Sequence, residues 1–251
     1  MTVNKINQLG ITIFIFLLSV ISCKKPSNNE CGIFIAHAGG YVDGHFRTNS
    51  LEGLNASYLN GFRMFELDFQ LTTDNKIVAT HDPIYVSEKE FLSTLIEEKF
   101  TPMNMIMINN WFEKHSDAIL VTDKINTPKL MAEQFKFKNR MIMELFTWET
   151  ISEAIELGIT PMVSQDLFWE TPDIENRLNS LNIKYIGMHR NNICKDKELL
   201  RKLKEKGFKT YIWFTQRTID GMEAEEYVLK NDMDYCFGIY ADILIDCSTN
   251  K

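Results

Sequence analysis

The chain has 251 residues, of which 45% are hydrophobic and 24% are charged, with only 12 glycines and 6 prolines. This composition is that of a globular protein, and it excludes disordered, collagen-like and low-complexity classes. The 27 basic and 34 acidic residues give a net charge of -7, so no nucleic-acid partner is expected, although a metal ion can supply positive charge for a phosphorylated ligand.

The amino terminus carries an apolar run at residues 11–21 that follows Lys5 and ends at Ser22 and Cys23. The run is too short to cross a bilayer as a helix, and its basic start and small-residue end are typical of a secretory signal. The sequence Val20-Ile21-Ser22-Cys23 resembles the bacterial lipoprotein signal box, in which the cysteine is lipidated and becomes the first mature residue. An ordinary signal peptide and a buried strand are the alternatives.

The resemblance implies that residues 1–22 are a signal peptide and that Cys23 anchors an exported protein to a membrane of the bacterial cell envelope. Residues 23–31 are then a tether, because the Pro-Ser-Asn-Asn stretch at 26–29 is poor at burying area. The five cysteines are an odd number, and lipidation of one leaves an even set. That set permits disulfides without requiring them, and its members are Cys31, Cys194, Cys236 and Cys247.

From Gly32 onward, short apolar runs alternate with amphipathic stretches, and no linker divides them. The expected strands are Ile33–Ala36, Met64–Leu71, Ile77–Thr80, Ala118–Ile125, Arg140–Phe146, Thr160–Ser164, Tyr185–His189, Thr210–Phe214 and Tyr235–Ile239. The expected helices are Leu51–Leu59, Met105–Phe112, Thr150–Leu157, Asp173–Leu181, Lys197–Lys206 and Gly221–Lys230. About eight strand-helix units favour an α/β fold, a single-domain (β/α)8 TIM barrel over residues 32–251, with its active site at the carboxyl ends of the strands. Asp74-Asn75 is the one hairpin turn predicted.

Polar residues occur where several of these strands should end. His37 follows the first apolar run, and His81 follows the third. Glu66 and Asp68 lie two residues apart in one strand, so their carboxylates share a face. Two like charges on one interior face repel unless a cation lies between them, which indicates an oxygen-ligand site for one divalent cation, Mg²⁺ or Ca²⁺.

The order of these motifs resembles the opening of the glycerophosphodiester phosphodiesterase family, part of the phosphatidylinositol phospholipase C-like superfamily of TIM-barrel phosphodiesterases. The match runs over about 46 residues, and its segments are Ile35–Gly40, Thr48–Glu52, Gly61–Asp68 and Thr72–Asp82. The resemblance implies that His37 and His81 are the general acid/base pair and that Glu66 and Asp68 hold the cation. Such a pair can activate the nucleophile and protonate the leaving alkoxide of a phosphodiester.

The chain departs from the family pattern at the phosphate contacts. Ala38 stands where the family has an arginine after the first histidine, and Arg47 is a candidate substitute. Thr48 replaces a glutamate, while Asn49 is retained as a candidate substrate contact. The small inserted domain typical of the family is largely absent after His81.

A third metal carboxylate is expected on the next barrel strand. There the family has Glu-x-Lys, whereas this chain has Thr122-Asp123-Lys124, so the last two side chains should point to opposite faces unless a bulge intervenes. Asp123 is our candidate for the third ligand, with Glu144 on the following strand as its competitor. Lys124 is a candidate substrate contact. Trp213, at a later strand end, is another, although a large aromatic residue in a barrel is by default part of the core.

These features predict an enzyme, a metal-dependent hydrolase that cleaves small glycerophosphodiesters to a phosphomonoester and an alcohol. One alternative is a phospholipase C or D that acts on intact lipids. The other is a non-catalytic surface-binding lipoprotein on the same barrel, which the missing arginine and the displaced third carboxylate leave open.

Overall fold

The computed structural model describes residues 33–245. Its strands are β1 (Ile33–Ala36), β2 (Tyr41–Val42), β3 (His45–Phe46), β4 (Met64–Leu71), β5 (Ile77–Ala79), β6 (Met103–Asn104), β7 (Ile119–Asp123), β8 (Met141–Leu145), β9 (Thr160–Val163), β10 (Tyr185–His189), β11 (Lys209–Trp213), β12 (Thr218–Ile219), β13 (Met222–Glu223) and β14 (Gly238–Ala241). Its helices are α1 (Leu51–Leu59), α2 (Glu88–Leu92), α3 (Met105–Lys114), α4 (Pro128–Gln134), α5 (Trp148–Glu156), α6 (Gln165–Glu170), α7 (Ile174–Ser180), α8 (Lys197–Glu205) and α9 (Ala224–Asn231). Three short 3₁₀ turns are His37–Gly39, Lys138–Arg140 and Arg190–Lys195.

Eight of the strands close into a parallel barrel in the order β1, β4, β7, β8, β9, β10, β11 and β14. β1 closes the ring by pairing in parallel with both β14 and β4. Helices connect successive barrel strands, as parallel pairing requires. The expected single-domain TIM barrel is therefore confirmed.

The remaining strands lie outside the barrel. β5 pairs antiparallel with β4, and β6 pairs antiparallel with β5. The turn between β4 and β5 holds Asn75 in the left-handed region, with φ 57°, as the predicted hairpin requires. The expected strand Ile77–Thr80 is thus an added antiparallel strand between β4 and β6, and not one of the eight barrel strands.

The apolar residues form two layers, one on each side of the barrel wall. The inner cluster fills the barrel with one residue from each of seven strands, namely Ile35, Met64, Val121, Ile142, Met162, Tyr211 and Tyr240. The larger outer cluster packs the strands against the helices. Because side chains alternate along a strand, the residue two positions after an inner-core residue also points inward, one level nearer the carboxyl end.

Two expected elements have other limits in the structure, and some short helices were not expected. The last barrel strand is Gly238–Ala241 and not Tyr235–Ile239, because the chain is still in a turn where the Tyr235 amide bonds to the Asp232 carbonyl. The helix expected from Gly221 begins at Ala224, since Gly221 lies in a hairpin turn between β12 and β13. Helices α4 and α6 were not expected, because each is only about two turns long.

Several expectations fall on parts of the chain outside the described residues. These are the signal peptide at 1–22, the tether at 23–31, lipidation of Cys23, and the thiols of Cys31 and Cys247. The other two cysteines are free thiols, Cys194 on the surface and Cys236 in the core. Between residues 33 and 245 no helix has the length and apolarity needed to cross a membrane.

Candidate active site

A cavity of about 250 Å³ opens at the carboxyl end of the barrel. Its lining residues are His37, Ala38, Arg47, Glu66, Asp68, His81, Asp123, Lys124, Glu144, Trp213, Thr215 and Tyr240. Five of them lie two positions after an inner-core residue, namely His37, Glu66, Asp123, Glu144 and Trp213. The strand period that buries one apolar layer therefore also places the next, polar layer at the mouth.

Glu66 and Asp68 lie on β4 and are both buried. Glu66 Oε2 accepts a hydrogen bond of 2.6 Å from the Ala38 amide, which points at the carboxylate because Ala38 adopts a left-handed conformation (φ 44°). Glu66 Oε1 is buried with no hydrogen-bond partner among the described residues. A buried carboxylate oxygen without a partner is costly unless a proton or a cation joins it.

Asn49 holds Asp68 through two hydrogen bonds. Asn49 Nδ2 donates to Asp68 Oδ2 at 2.8 Å, and the Asp68 amide donates to Asn49 Oδ1 at 3.0 Å. Both polar ends of the Asn49 side chain are thereby used, and the residue is absent from the cavity lining. We had expected Asn49 to contact substrate; the structure places it behind Asp68 as a positioning residue.

Asp123 joins Glu66 and Asp68 in a compact triad. One carboxylate oxygen from each lies within 4.8 Å of the other two, and Asp123 pairs directly with Asp68 in the register of β4 and β7. Glu144 lines the same cavity but is outside this triad. The geometry therefore favours Asp123 over Glu144 as the third carboxylate.

Lys124 reaches the cavity beside Asp123, although adjacent residues of a strand should face opposite ways. The strand ends at Asp123, and Lys124 takes a left-handed conformation with φ 66°. This turn lets the Lys124 amide donate to Asp123 Oδ1 at 2.6 Å and places Lys124 Nζ 3.5 Å from Asp123 Oδ2. Asp123 and Lys124 can therefore both line the cavity because the chain turns at the strand end, and not because of a bulge.

Burial and the repulsion between carboxylates dominate the electrostatics of the triad. Burial and the neighbouring Asp68 carboxylate raise the pKa of Glu66 well above its ordinary value. Burial also raises the pKa of Asp68, which the Asn49 hydrogen bond partly offsets. All candidate ligand atoms are carboxylate oxygens, the donors preferred by Mg²⁺ and Ca²⁺. Together with the unpartnered Glu66 Oε1, this donor set fits a hard divalent cation.

The two histidines occupy different settings in the cavity wall. His37 follows β1, and its Nδ1 is buried without a hydrogen-bond partner in the described part of the chain. Burial and the nearby Arg47 charge hold the pKa of His37 well below its ordinary value. His81 follows β5 and is largely exposed, and its Nδ1 lies 2.8 Å from Asp82 Oδ1.

Arg47 reaches the cavity from the loop before α1. Its Nε and Nη2 donate to the two carboxylate oxygens of Asp242 at 2.9 and 3.0 Å, a bidentate ion pair with a buried partner. Asp242 follows β14 and is 195 residues away in sequence, so the sequence pattern did not reveal it. The pair fixes the Arg47 guanidinium at the wall next to His37.

Trp213 also lines the cavity, at the end of β11. It is only partly buried and packs edge-on against His189, with ring centroids 4.4 Å apart. Sequence reasoning missed Thr215 and Tyr240, which complete the wall. Tyr240 belongs to an apolar run, where a residue pattern gives no sign that the hydroxyl group faces a cavity.

No protein-family model matches the chain. A comparison with curated proteins also gives no match. Three solved structures are similar to it over 84% of its length. The glycerophosphodiester phosphodiesterase from Parabacteroides distasonis is 18% identical with a TM-score of 0.66 over 92% of that chain. The one from Thermotoga maritima is 18% identical with a TM-score of 0.63 over 94% of its chain. A phosphodiesterase from Oleispira antarctica, in complex with the product sn-glycerol-3-phosphate, is 16% identical with a TM-score of 0.63 over 92%.

These three proteins share the barrel of the present chain, and at such identities the likeness concerns the fold. It extends over nearly the whole of each relative, so no large domain of theirs lacks a counterpart here. The chain thus has the barrel fold of glycerophosphodiester phosphodiesterases, with an acidic triad and two histidines at the mouth where barrel enzymes have their active sites.

Proposed function

We propose that this protein is a phosphoric diester hydrolase that cleaves small glycerophosphodiesters to a phosphomonoester and an alcohol. The observation that carries the proposal is one cavity that brings three carboxylates within 4.8 Å of one another beside two histidines. The barrel around it is similar to those of glycerophosphodiester phosphodiesterases and to that of a phosphodiesterase in complex with the product sn-glycerol-3-phosphate. The cavity volume of about 250 Å³ and its lining residues, most of which are charged or polar, suit a small polar diester better than an acylated lipid.

Glu66, Asp68 and Asp123 are the residues that would hold one divalent cation, Mg²⁺ or Ca²⁺. When bound, such an ion stabilises the negative charge that accumulates on the phosphoryl oxygens in the transition state. Arg47 and Lys124 add positive charge to the wall, which attracts the phosphodiester anion. Trp213 offers an apolar face for the alcohol portion of the substrate.

Proton transfer falls to the two histidines. A depressed pKa keeps His37 neutral near pH 7, so its imidazole can take the proton of the attacking hydroxyl or water as a new P–O bond forms. His81 donates a proton to the departing alkoxide as the other P–O bond breaks, and the Asp82 carboxylate at 2.8 Å orients its ring. In a following hydrolytic step the two residues exchange these roles.

The proposal is tested with purified protein lacking its first 23 residues. Glycerophosphocholine and glycerophosphoethanolamine are supplied with Mg²⁺, Ca²⁺ or EDTA, and phospholipid vesicles serve as the intact-lipid comparison. We expect turnover of the small diesters that EDTA abolishes. Absence of turnover with every metal and headgroup would refute the enzyme, and turnover of intact lipid alone would indicate a phospholipase.

Histidine variants test the proposed pair. His37→Ala and His81→Ala should each abolish turnover while the folded circular dichroism spectrum is retained. His45→Ala is the matched control, because His45 is outside the cavity lining and faces Glu97 and Phe100. Retained activity in either of the first two variants would remove that histidine from the mechanism.

We also propose that the protein is exported and anchored in the bacterial cell envelope. The support is the resemblance of Val20–Cys23 to a lipoprotein signal box. Mass spectrometry of the mature amino terminus should find a lipidated Cys23 as the first residue. A free amino terminus at another position would contradict this anchoring. So would a Cys23→Ala variant that is as abundant in membrane fractions as the wild-type protein.

A further inference from the structure

A polar contact crosses the barrel beneath the cavity. Glu144 lies on β8 and Tyr240 on β14, which are four strands apart in either direction around the ring and therefore face each other. The Tyr240 hydroxyl donates a hydrogen bond to Glu144 Oε2 over 3.4 Å and also contacts Met162 Sδ at 3.3 Å. Both residues are buried, and both line the cavity. Glu144 and Tyr240 thus give the floor of the cavity a carboxyl and a hydroxyl group.

Space for the Glu144 carboxyl is provided by Gly187 on β10, midway between the two strands. A methyl group at Gly187 would lie 2.8 to 2.9 Å from all three terminal atoms of Glu144, closer than nonbonded atoms approach. The backbone angles of Gly187 are not in the left-handed region. A glycine is therefore needed at this position because of the Glu144 carboxyl and not because of the backbone conformation. The barrel is therefore shaped to admit a carboxyl group at this position.

The triad does not account for Glu144. The cluster of carboxylate oxygens within 4.8 Å consists of Glu66, Asp68 and Asp123, and Glu144 is outside it. Its carboxyl group is nevertheless on the cavity floor, one strand from Asp123, and its contact with Tyr240 is long for an O–H···O hydrogen bond. A buried carboxyl with a single long contact has capacity to accept a further hydrogen bond.

We infer that Glu144 and Tyr240 form a hydroxyl-recognition site for the polyhydroxy alcohol carried on the phosphate. An alcohol O–H at the floor can donate to the Glu144 carboxyl while its oxygen accepts from the Tyr240 hydroxyl. The inference rests on the proposed function, because the phosphate of the same ligand must bind above, at the triad. A site built to pair with a hydroxyl discriminates against an analogue that lacks it, since the buried polar groups then lose their partner.

Binding measurements test this site without turnover. Isothermal titration calorimetry in the presence of Mg²⁺ or Ca²⁺ compares sn-glycerol-3-phosphate with n-propyl phosphate, which has the same carbon chain without hydroxyls. The wild-type protein should bind the glycerol ester about tenfold more tightly. Glu144→Leu should bring the affinity ratio to about one, whereas Glu144→Gln, which keeps an acceptor oxygen, should retain most of the preference.

Two further variants complete the experiment. Glu149→Leu, at an exposed position of α5, is the matched control and should keep the wild-type ratio. Tyr240→Phe removes only the hydroxyl and should also lower the ratio, so the test holds even if Glu144→Leu fails to fold. An unchanged ratio in both Glu144→Leu and Tyr240→Phe would overturn the inference, and so would wild-type protein that binds both esters equally. Wild-type protein that binds neither ester would contradict the proposed phosphodiesterase function as well.

Discussion

Asn49 and Asp68 exchange two hydrogen bonds, one through each polar end of the asparagine side chain. The exchange fixes the position of Asp68, and with it one of the three carboxylates of the triad. Asn49 itself is held with φ 51°, a left-handed conformation that asparagine tolerates better than most residues. The asparagine therefore suits this position both by its side chain and by its backbone.

Replacement of Asn49 should loosen cation binding without unfolding the barrel. Asn49→Gly removes the side chain while keeping a residue that adopts positive φ without strain. We expect the affinity for Mg²⁺ or Ca²⁺ to fall by about 10- to 100-fold, as for other residues that orient metal ligands. Calorimetric titration of the ion measures it. Asn231→Ala, at an exposed site at the end of α9, is the control; equal affinities in the two variants would show that Asn49 does not position Asp68.

Cation binding should stabilise the protein more at neutral than at acidic pH. The folded pKa values of Glu66 and Asp68, two members of the triad, are raised chiefly by burial. In the cation-free protein their contribution to stability is therefore present below the ordinary carboxyl pKa and is lost as pH rises through the raised values. Added Mg²⁺ or Ca²⁺ replaces the lost protons. The shift in melting temperature that the ion causes should therefore be large at about pH 7 and small at about pH 5.

Thermal melts with and without the ion check this dependence. Glu66→Gln should lose most of the cation-induced shift, because it removes a charged ligand. Glu156→Gln, an exposed change on α5, should keep the full shift. A shift of equal size at both pH values would contradict the assignment of buried carboxylates to the ion.

The acid limb of the activity profile should lie below the ordinary histidine pKa. His37 must be neutral to accept a proton, and burial, Arg47 and Lys124 all lower its pKa. The kcat/KM value should therefore stay constant as pH falls to about 6.5 and decline only below it. Lys124→Met removes one of the charges that lower the pKa of His37, so the acid limb of the activity profile should move to higher pH. Lys129→Met, exposed on α4, should leave it in place, and an unmoved limb in Lys124→Met would contradict the assignment.

The contact between Gly187 and Glu144 predicts a specific coupling. Gly187→Ala alone should lower the free energy of unfolding by about 1–3 kcal/mol, because the new methyl group overlaps the carboxyl. The same change in a Glu144→Ala background should cost little, since the overlapping atoms are gone. Denaturant unfolding of the wild type, the two single variants and the double variant gives the coupling energy. Additive effects would show that the two residues are independent.

Much of the fold was accessible from the sequence because the barrel repeats one pattern. Apolar runs bounded by turns marked seven of the eight barrel strands to within two residues, and α1 was predicted with its observed limits. The hairpins at Asp43-Gly44 and Asp220-Gly221 were missed, although Asp-Gly is a strong turn signal and both residues of each pair have positive φ. Gly221 was instead assigned to a helix, because apolar periodicity was weighted above turn chemistry.

The site was only partly accessible from the sequence. Strand period placed Glu66 and Asp68 on one face, and this followed from local spacing. The turn at Lys124 could not be predicted in this way, because lysine as a residue type does not indicate a left-handed backbone conformation. The ion pair of Arg47 with Asp242 joins the two ends of the barrel sequence, and a pairing over that separation is set by barrel closure and not by any local pattern.

The direction of β1 bears on how an anchored protein would meet its substrate. All eight barrel strands are parallel, so β1 begins at the end of the barrel opposite the cavity. Chain that precedes Ile33 joins the domain at that far end. If lipid is attached at Cys23, the attachment lies ten positions before Ile33, a reach of about 33 Å when fully extended. The attachment would then be at the end of the barrel opposite the mouth, which leaves the mouth open to diesters that diffuse in the surrounding water.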